Sequence, residues 1–105
     1  MIGAAGAAST SPFISVSNSL ATGVVSFSGD ITIQAGNGGV VTGGRGIELS
    51  GNATGSSFTA SGITTINGVG GEGIALENDS STIIFGTPTS GGVNIVDPGL
   101  EGISI

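Results

Sequence analysis

The sequence predicts an all-β protein, a short parallel β-solenoid (β-helix) of about three to four coils with three strands in each coil. Three observations support this fold: the composition, a period of two in the hydrophobic pattern, and an internal repeat. The chain of 105 residues contains 22 glycines and 4 phenylalanines, with no Trp, Tyr or Cys. The core must therefore be filled mainly by Ile, Val, Leu and Ala, a mixture that favours strands over helices.

Short segments alternate apolar with small polar residues, which is the pattern of a strand with one buried face. These segments cover residues 14–16, 25–27, 31–33, 47–49, 74–76, 93–95 and 103–105, and a further aliphatic segment covers 63–66. No window of useful length has apolar residues at the i, i+3, i+4, i+7 spacing of a helix, and glycine interrupts every candidate. Helix content is therefore expected to be near zero.

One phrase, a charged residue followed by Gly, Ile, any residue and an aliphatic residue, occurs three times. It begins at Arg45, Glu72 and Glu101, at spacings of 27 and 29 residues, and residues 14–16 give a degenerate further copy. A unit of this length cannot bury its apolar side alone, whereas stacked copies place equivalent side chains over one another. The repeat therefore favours a solenoid.

Phenylalanine recurs at a fixed interval from the aliphatic residues of the repeat. The interval is 11 residues from Val16 to Phe27, from Ile47 to Phe58 and from Ile74 to Phe85. We therefore expect Phe to stack over Phe and Ile over Ile inside the solenoid. The predicted core ladder consists of Phe27, Phe58, Phe85, Ile47, Leu49, Ile74, Leu76, Ile103 and Ile105.

Asparagine marks the predicted corners of the coils. Asn18, Asn52 and Asn78 each follow a repeated phrase, and we expect inner or corner amides that bond to the next amide or to backbone. The Asn-Gly pairs at 37–38 and 67–68 are strong signals of two-residue hairpin turns and would suit an antiparallel β-sandwich, the alternative fold. Asn-Gly also suits the left-handed corners of a solenoid, and the equal repeat intervals favour the solenoid.

The composition argues against catalysis and against nucleic-acid binding. The chain has seven acidic residues and one basic residue, Arg45, so its net charge is −6. It therefore lacks the cationic surface that binding to a phosphate backbone requires. Without His, Lys or Cys, the chain lacks the usual acid–base, nucleophilic and thiolate-metal side chains. We expect no enzymatic activity, catalytic residue, cofactor or metal site. No stretch approaches the ~20 apolar residues of a membrane span, so no membrane insertion is expected.

Two motifs have ordinary explanations. Residues 68–73 match G-x-G-x-x-G, but a strand-like segment follows, whereas a dinucleotide loop opens a helix. Glu72 and Glu101 occupy equivalent places in successive units and Arg45 occupies the same place one unit earlier, so we expect a solvated charge ladder in which Arg45 neutralises Glu72. Adventitious cation binding by the carboxylates is the alternative.

The degenerate coils over residues 13–105, rich in Gly, Ser, Thr and Asn, make the chain similar to a known family. It resembles the right-handed parallel β-helix family found in passenger regions of autotransporters and in haemagglutinin-like adhesins. The resemblance implies an extended, exported and non-catalytic shaft or adhesive surface.

The predicted organisation is a flexible Gly/Ala-rich arm at 1–12 followed by a solenoid domain at 13–105. No cap is recognisable at either end of the stack, so strand edges and inner apolar residues are expected to be open there. The residues expected to mediate self-association are Met1, Ile2, Phe13, Ile103 and Ile105.

The function predicted from these features is a structural subunit of a self-assembling extracellular filament. In this homopolymer, the coils of successive copies stack head to tail. The alternative is a fragment of an autotransporter-like adhesin passenger at the cell surface, with a cell-surface or host glycan or protein as its partner.

Overall fold

The computed structural model describes residues 11–36 and 43–105, and this part of the chain contains strands and no helix. The all-β prediction is confirmed. The strands, in chain order, are β1 (Ile14–Ser17), β2 (Val24–Phe27), β3 (Ile31–Gln34), β4 (Ile47–Ser50), β5 (Ser57–Ala60), β6 (Ile63–Asn67), β7 (Ile74–Glu77), β8 (Thr82–Phe85), β9 (Gly92–Val96) and β10 (Ile103–Ser104). Most are rich in β-branched or aromatic residues, and Gly, Asn, Asp and Ser in the corners end them.

The strands form three parallel sheets. Sheet 1 contains β1, β4, β7 and β10, sheet 2 contains β2, β5 and β8, and sheet 3 contains β3, β6 and β9. Every pairing joins strands from successive turns of the chain and is parallel, which excludes the antiparallel sandwich. The fold is a short parallel β-solenoid of three coils, and β10 begins a fourth. We call the side of β1 the lower end and the side of β10 the upper end.

The repeated Gly-Ile phrases stack in register across sheet 1. Ile14, Ile47, Ile74 and Ile103 form one row of in-register residues, at sequence spacings of 33, 27 and 29 residues. The degenerate copy of the phrase at 14–16 is confirmed, because Ile14 pairs with Ile47 and Val16 with Leu49. The 11-residue interval from Val16 to Phe27 implied instead that Val16 is equivalent to Ile47, which is wrong. The first coil is therefore two residues longer than the interval predicted.

The phenylalanines do not share one row of sheet 2. Phe58 pairs with Val25 below and Ile83 above. Phe27 and Phe85 lie in the next inward row, so the predicted register of Phe directly over Phe is wrong. One reason is that the corner at 78–81 is two residues shorter than the corner at 51–56. A change of two residues keeps the side chain on the same face of the strand and moves it by one inward position.

The aromatic rings nevertheless contact one another across the two rows. The ring centroids are 5.8 Å apart for Phe27 and Phe58 and 5.7 Å apart for Phe58 and Phe85, both in tilted geometry. Phe27 and Phe85 both pair with Ala60, whose small side chain leaves room between them for the ring of Phe58. Alternation of large and small residues thus fills this side of the interior.

The core is deepest in the middle coil. Ile47, Leu49, Phe58 and Ile66 are all buried, as is Ile74 in the coil above. Burial of each such side chain stabilises the fold by about 1.5–3 kcal/mol. In the first and third coils most inward residues are half-buried: Phe13, Ile14, Val16, Val25 and Phe27 below, and Leu76, Ile83, Phe85 and Ile95 above. Ile31 and Ile33 of β3 are buried although they belong to the first coil.

Candidate self-association surfaces

The two ends of sheet 1 carry opposite halves of a hydrogen-bonding pattern. At the start of each strand in this sheet, backbone N–H groups donate toward the upper end. These bonds run from Phe13 to Arg45, Ile14 to Gly46, Gly46 to Glu72, Ile47 to Gly73, Gly73 to Glu101 and Ile74 to Gly102, with N···O distances of 2.9–3.1 Å. Within the described residues, the N–H groups of Gly102 and Ile103 have no acceptor, and the carbonyl groups of Pro12 and Phe13 have no donor.

A row of glycines keeps the coils of sheet 1 close together. A Cβ atom built on Gly46 would lie 2.5 Å from the Gly73 carbonyl oxygen, and one on Gly73 would lie 2.7 Å from the Gly102 carbonyl oxygen. Side chains of Ile66 and Ile95 fill the remaining space at 2.8 and 2.7 Å. The approach of the next coil therefore requires glycine at both positions. Phe13 occupies the same row in the first coil.

Gly102 is the member of this row that no coil covers within the described residues. A Cβ atom on Gly102 would have one neighbour at the limit of contact, Ile95 Cδ1 at 4.0 Å. The glycine is thus placed as at Gly46 and Gly73, but the space that a further coil would occupy is open.

The predicted self-association residues fall into three groups. Met1 and Ile2 lie outside the described residues. Phe13 is half-buried at the lower end. Ile103 and Ile105 are 55% and 98% exposed at the upper end, whereas Ile47 and Ile74, which share the row of Ile103, are 0% and 2% exposed. The end of the stack, and not the residue type, accounts for the exposure of Ile103.

A charge cluster on the outside of sheet 1 joins the second and third coils. The Arg45 guanidinium contacts Glu48 at 2.7 Å, Glu72 at 2.9 Å and Glu77 at 2.6 Å. The predicted pairing of Arg45 with Glu72 is confirmed. Glu77 is the third carboxylate of the cluster, and it lies in register with Ser50 of the middle coil. The repeated phrase alone does not reveal its contact with Arg45, because Glu77 lies just outside the phrase.

The cluster shifts the pKa values of Arg45 and Glu72. The hydrogen bond from Arg45, together with a backbone hydrogen bond, holds the pKa of Glu72 below its usual value. Hydrogen bonds to Glu72, Glu48 and Glu77 in turn raise the pKa of Arg45. One guanidinium is shared by three carboxylates, so the cluster keeps a net negative charge and serves as a clamp between coils.

The asparagines occupy two different corner rows. Asn18 and Asn78 have φ of 55° and 49° and share their row with Gly51 at φ 64°, so this row requires left-handed backbone. Asn52 lies one position later and is buried. The three asparagines therefore do not share one row, because Asn52 stands one residue later after its strand than Asn18 and Asn78 do after theirs.

Asn52 bonds two coils together through its side chain. Its Oδ1 accepts the Ser19 N–H at 2.9 Å and its Nδ2 donates to the Val16 carbonyl at 3.1 Å. Asp79 occupies the same row in the next coil. The Ser80 N–H donates to the Asn52 carbonyl, just as the Ala53 N–H donates to the Ser19 carbonyl one coil below. The Oδ1 of Asp79 is buried with no hydrogen-bond partner.

A groove beside the charge cluster offers little further chemistry. It is lined by Pro12, Gly43, Gly44, Arg45, Glu48, Gly70 and Gly71. Its charged groups already bond to each other. Within residues 11–36 and 43–105, no three His, Cys, Asp or Glu side chains are grouped as a metal site would require, and no helix has the length and apolarity of a membrane span.

Comparisons with known proteins give no relatives for the chain. No family model, no curated protein and no solved structure matches it.

Proposed function

We propose that this chain is a structural subunit that assembles end to end into an extracellular filament. The observation that carries the proposal is the difference between the middle coil and the two ends. The same kinds of inward residues that are buried at Ile47 and Phe58 are half-exposed at Val25 and Phe27 below and at Ile83 and Phe85 above. A further copy at each end would reduce this exposure.

The two ends are complementary and not identical. Unused backbone donors lie at Gly102 and Ile103, and unused acceptors lie at Pro12 and Phe13 among the described residues. A contact between unlike ends is heterologous, and a heterologous contact that does not close into a ring produces an open filament. Sheet 1, which contains these donors and acceptors, would then continue from copy to copy.

The small area of the ends favours a filament that forms only at high protein concentration. It argues against a stable dimer held by one such joint. A coil of about 27 residues encloses roughly 400 Å², so one joint buries at most roughly 800 Å² in total. Stable protein interfaces bury about 1,200–2,000 Å². A single joint is therefore weak, and assembly is expected to have a critical concentration.

Composition supports a non-catalytic, exported role. The chain lacks His and Cys, has one basic residue and is 8% charged, whereas enzymes draw their acids, bases and nucleophiles from such side chains. Its abundance of Gly with exposed Ser and Thr on the strand surfaces, such as Ser15, Ser26 and Thr32, is the composition that the resemblance to autotransporter passengers associates with a cell-surface location.

The test is sizing of the purified chain at increasing concentration, with negative-stain imaging and fibre diffraction of the same samples. We expect fibres of constant width and a reflection near 4.8 Å along the fibre axis, because the strands run across the axis. Folded monomers at every concentration, identified by a β-type circular dichroism spectrum, would overturn the proposal.

The second candidate is a surface-binding module of an adhesin passenger. The exposed hydroxyl-bearing residues on the outer faces favour it, since a glycan is recognised by hydrogen bonds to such groups. Saturable binding of the monomer to one glycan in a panel, without assembly, would support this role in place of the filament.

A further inference from the structure

We infer that the joint between copies is made by β1 of one copy adding in parallel to the upper edge of β10 of another, with Ile14 of the second copy opposite Ile103. This inference rests on the proposed function and specifies the partner strand and its register. The partner is a second copy of this chain.

The hydrogen bonds define the register. In each lower coil the N–H of the residue before the row isoleucine, and that of the isoleucine itself, donate to consecutive carbonyl groups of the coil above. Continued by one rung, the pattern pairs the N–H of Gly102 with the carbonyl of Pro12 of the second copy. It pairs the N–H of Ile103 with the carbonyl of Phe13 of the second copy. Strand addition of this kind derives its affinity from backbone hydrogen bonds.

The glycine row gives an independent reason for the same register. The carbonyl of the next coil occupies the Cβ space of Gly46 and of Gly73. The corresponding space at Gly102 is open, with Ile95 Cδ1 at 4.0 Å. The carbonyl of Phe13 of the second copy would fill this space, since Phe13 follows Gly102 in the row.

The outward rows are compatible with this joint. Pro12 of the second copy would lie above Glu101, so no acidic residue is added to the row that contains Glu72 and Glu101. Ser15 of the second copy would lie above Ser104, which follows Glu48 and Ala75 in its row. Neither pair brings like charges together.

The joint places its hydrogen bonds in sheet 1. Over residues 11–36 and 43–105 this sheet has four strands, whereas sheets 2 and 3 each have three. With β1 of the second copy on β10, β2 of that copy lies two strand spacings above β8, roughly 10 Å. If β1 of the second copy instead displaced β10 and paired with β7, then β2 of the second copy would lie directly on β8.

Gly29 distinguishes these two arrangements. It shares a row with Gly62, where a Cβ atom would lie 2.6 Å from the Gly29 carbonyl oxygen of the coil below. A Cβ atom on Gly29 has no neighbour within 4 Å in the part of the chain that the structure describes, so we expect alanine there to fit the single chain. It would clash with a copy stacked directly below sheet 2, and it is tolerated when that copy is one rung further away.

The first experiment compares Gly102→Ala with Gly29→Ala by critical concentration. We expect Gly102→Ala to keep the melting temperature of the monomer and to raise the critical concentration at least tenfold, whereas Gly29→Ala changes neither. Wild-type-like assembly of Gly102→Ala would overturn the inference and leave the filament proposal standing. Loss of assembly in Gly29→Ala would show that β1 replaces β10, which also overturns it.

The second experiment uses cysteine cross-linking and does not depend on tolerance of alanine at position 102. The chain has no cysteine, so Ser15→Cys with Ser104→Cys introduces the only two thiols. Within one chain these positions are three strand spacings apart, roughly 14 Å, too far for a disulfide. Oxidation of the assembled variant is expected to give a ladder of covalent oligomers on a denaturing gel.

The matched control is Ser17→Cys with Ser104→Cys, which moves one thiol by two residues along β1. We expect at least tenfold less cross-linking, because the displacement exceeds the reach of a disulfide. Equal cross-linking of the two pairs, or none in the first pair when the wild type assembles, would show that the register is wrong. Failure of the wild type to assemble at any concentration overturns the proposed function itself and this joint with it.

Discussion

The middle coil and the third coil present similar side chains to the interior but bury them to different extents. Leu49 and Phe58 are 0% and 1% exposed, whereas Leu76 and Phe85 are half-buried. Among the described residues, the middle coil has neighbours on both sides, and the third coil has β10 alone above it. Local sequence therefore determines the row of a residue, and the coils above and below determine its contribution to stability. This dependence on neighbouring coils is expected of a stacked repeat, in which the free energy of folding is approximately a sum over the interfaces between neighbours.

The largest expected effect that tests this comparison is truncation of phenylalanine. Phe58→Ala should lower the free energy of unfolding by about 3–5 kcal/mol, because it empties a closed site between two coils. Phe85→Ala should cost about half as much, because its ring is already partly in solvent. Urea unfolding monitored by circular dichroism, at concentrations below assembly, measures both.

Equal losses for the two variants would contradict the comparison. They would mean that Phe85 is as well covered in solution as Phe58. Repeating the measurement on assembled protein sharpens the test of the joint. With β2 of the next copy roughly 10 Å above β8, the cost of Phe85→Ala should stay below that of Phe58→Ala, whereas a coil stacked directly on β8 would make the two costs equal.

The next largest effect concerns the corner in which Asn52 joins the first and second coils. Asn52→Ala should cost about 2–3 kcal/mol, because it removes two hydrogen bonds and leaves the Ser19 N–H and the Val16 carbonyl unpaired. Asn78→Ala is the control at an exposed corner, and it should cost about 1 kcal/mol through the left-handed backbone alone. A smaller loss at Asn52 than at Asn78 would refute the importance of the buried amide.

The charge cluster should make stability depend on pH. The pKa of Glu72 is lowered in the folded state by Arg45. Its contribution is therefore complete above the unfolded pKa of about 4.3 and is lost as the pH falls through the lower folded value. Arg45→Met should cost about 1–2 kcal/mol at pH 7, because three carboxylates remain without their shared cation.

The measurement is urea unfolding of the wild type and Arg45→Met between pH 7 and pH 3. The difference between the two proteins should shrink as the pH falls, since protonated Glu72 no longer pairs with Arg45. Glu101→Gln is the matched control in the same row, because Glu101 forms no ion pair among the described residues. A difference that stays constant down to pH 3 would argue against the ion pair.

The sequence predicts more of the strands than of the corners. Period-two alternation and the repeated Gly-Ile phrase are local properties, and they suffice for parallel stacking and for the contact between Arg45 and Glu72. Corner lengths are free to vary in a solenoid, because a loop on the outside can change by two residues without disturbing the inner rows. The constant 11-residue interval to phenylalanine therefore gave a wrong register.

The open upper end shows which part of the candidate site can be anticipated. Ile103 is exposed within the described residues, in line with the open strand edge predicted from the sequence. The open space at Gly102 and the unused N–H groups do not follow from the sequence, because they depend on the distance between coils, which glycine at 46 and 73 sets. The different row of Asn52 can be read from the sequence, because Asn18 and Asn78 each follow the isoleucine of their phrase by four residues and Asn52 follows Ile47 by five.

A small stabilising effect is expected from the substitution of Asp79, which stands one coil above Asn52 in the same corner row. The Oδ1 of Asp79 is buried without a partner, whereas Asn52 in the coil below donates to a carbonyl. Asp79→Asn should raise the free energy of unfolding by about 1 kcal/mol, because its amide can donate to the carbonyl of Leu49. Unfolding at pH 7 measures the gain. A loss of stability would show that the carboxylate has a favourable partner, such as the Ser81 hydroxyl at 2.5 Å, that outweighs this bond.

The smallest effect distinguishes two adjacent threonines of β6. Thr64 is fully buried between Ile31 and Val93 and its hydroxyl has no hydrogen-bond partner, whereas Thr65 is half-buried and pairs with Thr32 and Asn94. Thr64→Val should raise the free energy of unfolding by about 0.5–1 kcal/mol, because it replaces an unsatisfied polar group by a methyl group of the same shape. Thr65→Val should change it by less than about 0.5 kcal/mol. If both variants behave alike, the interior of sheet 3 is not as dry as the rows of Ile, Thr and Val indicate.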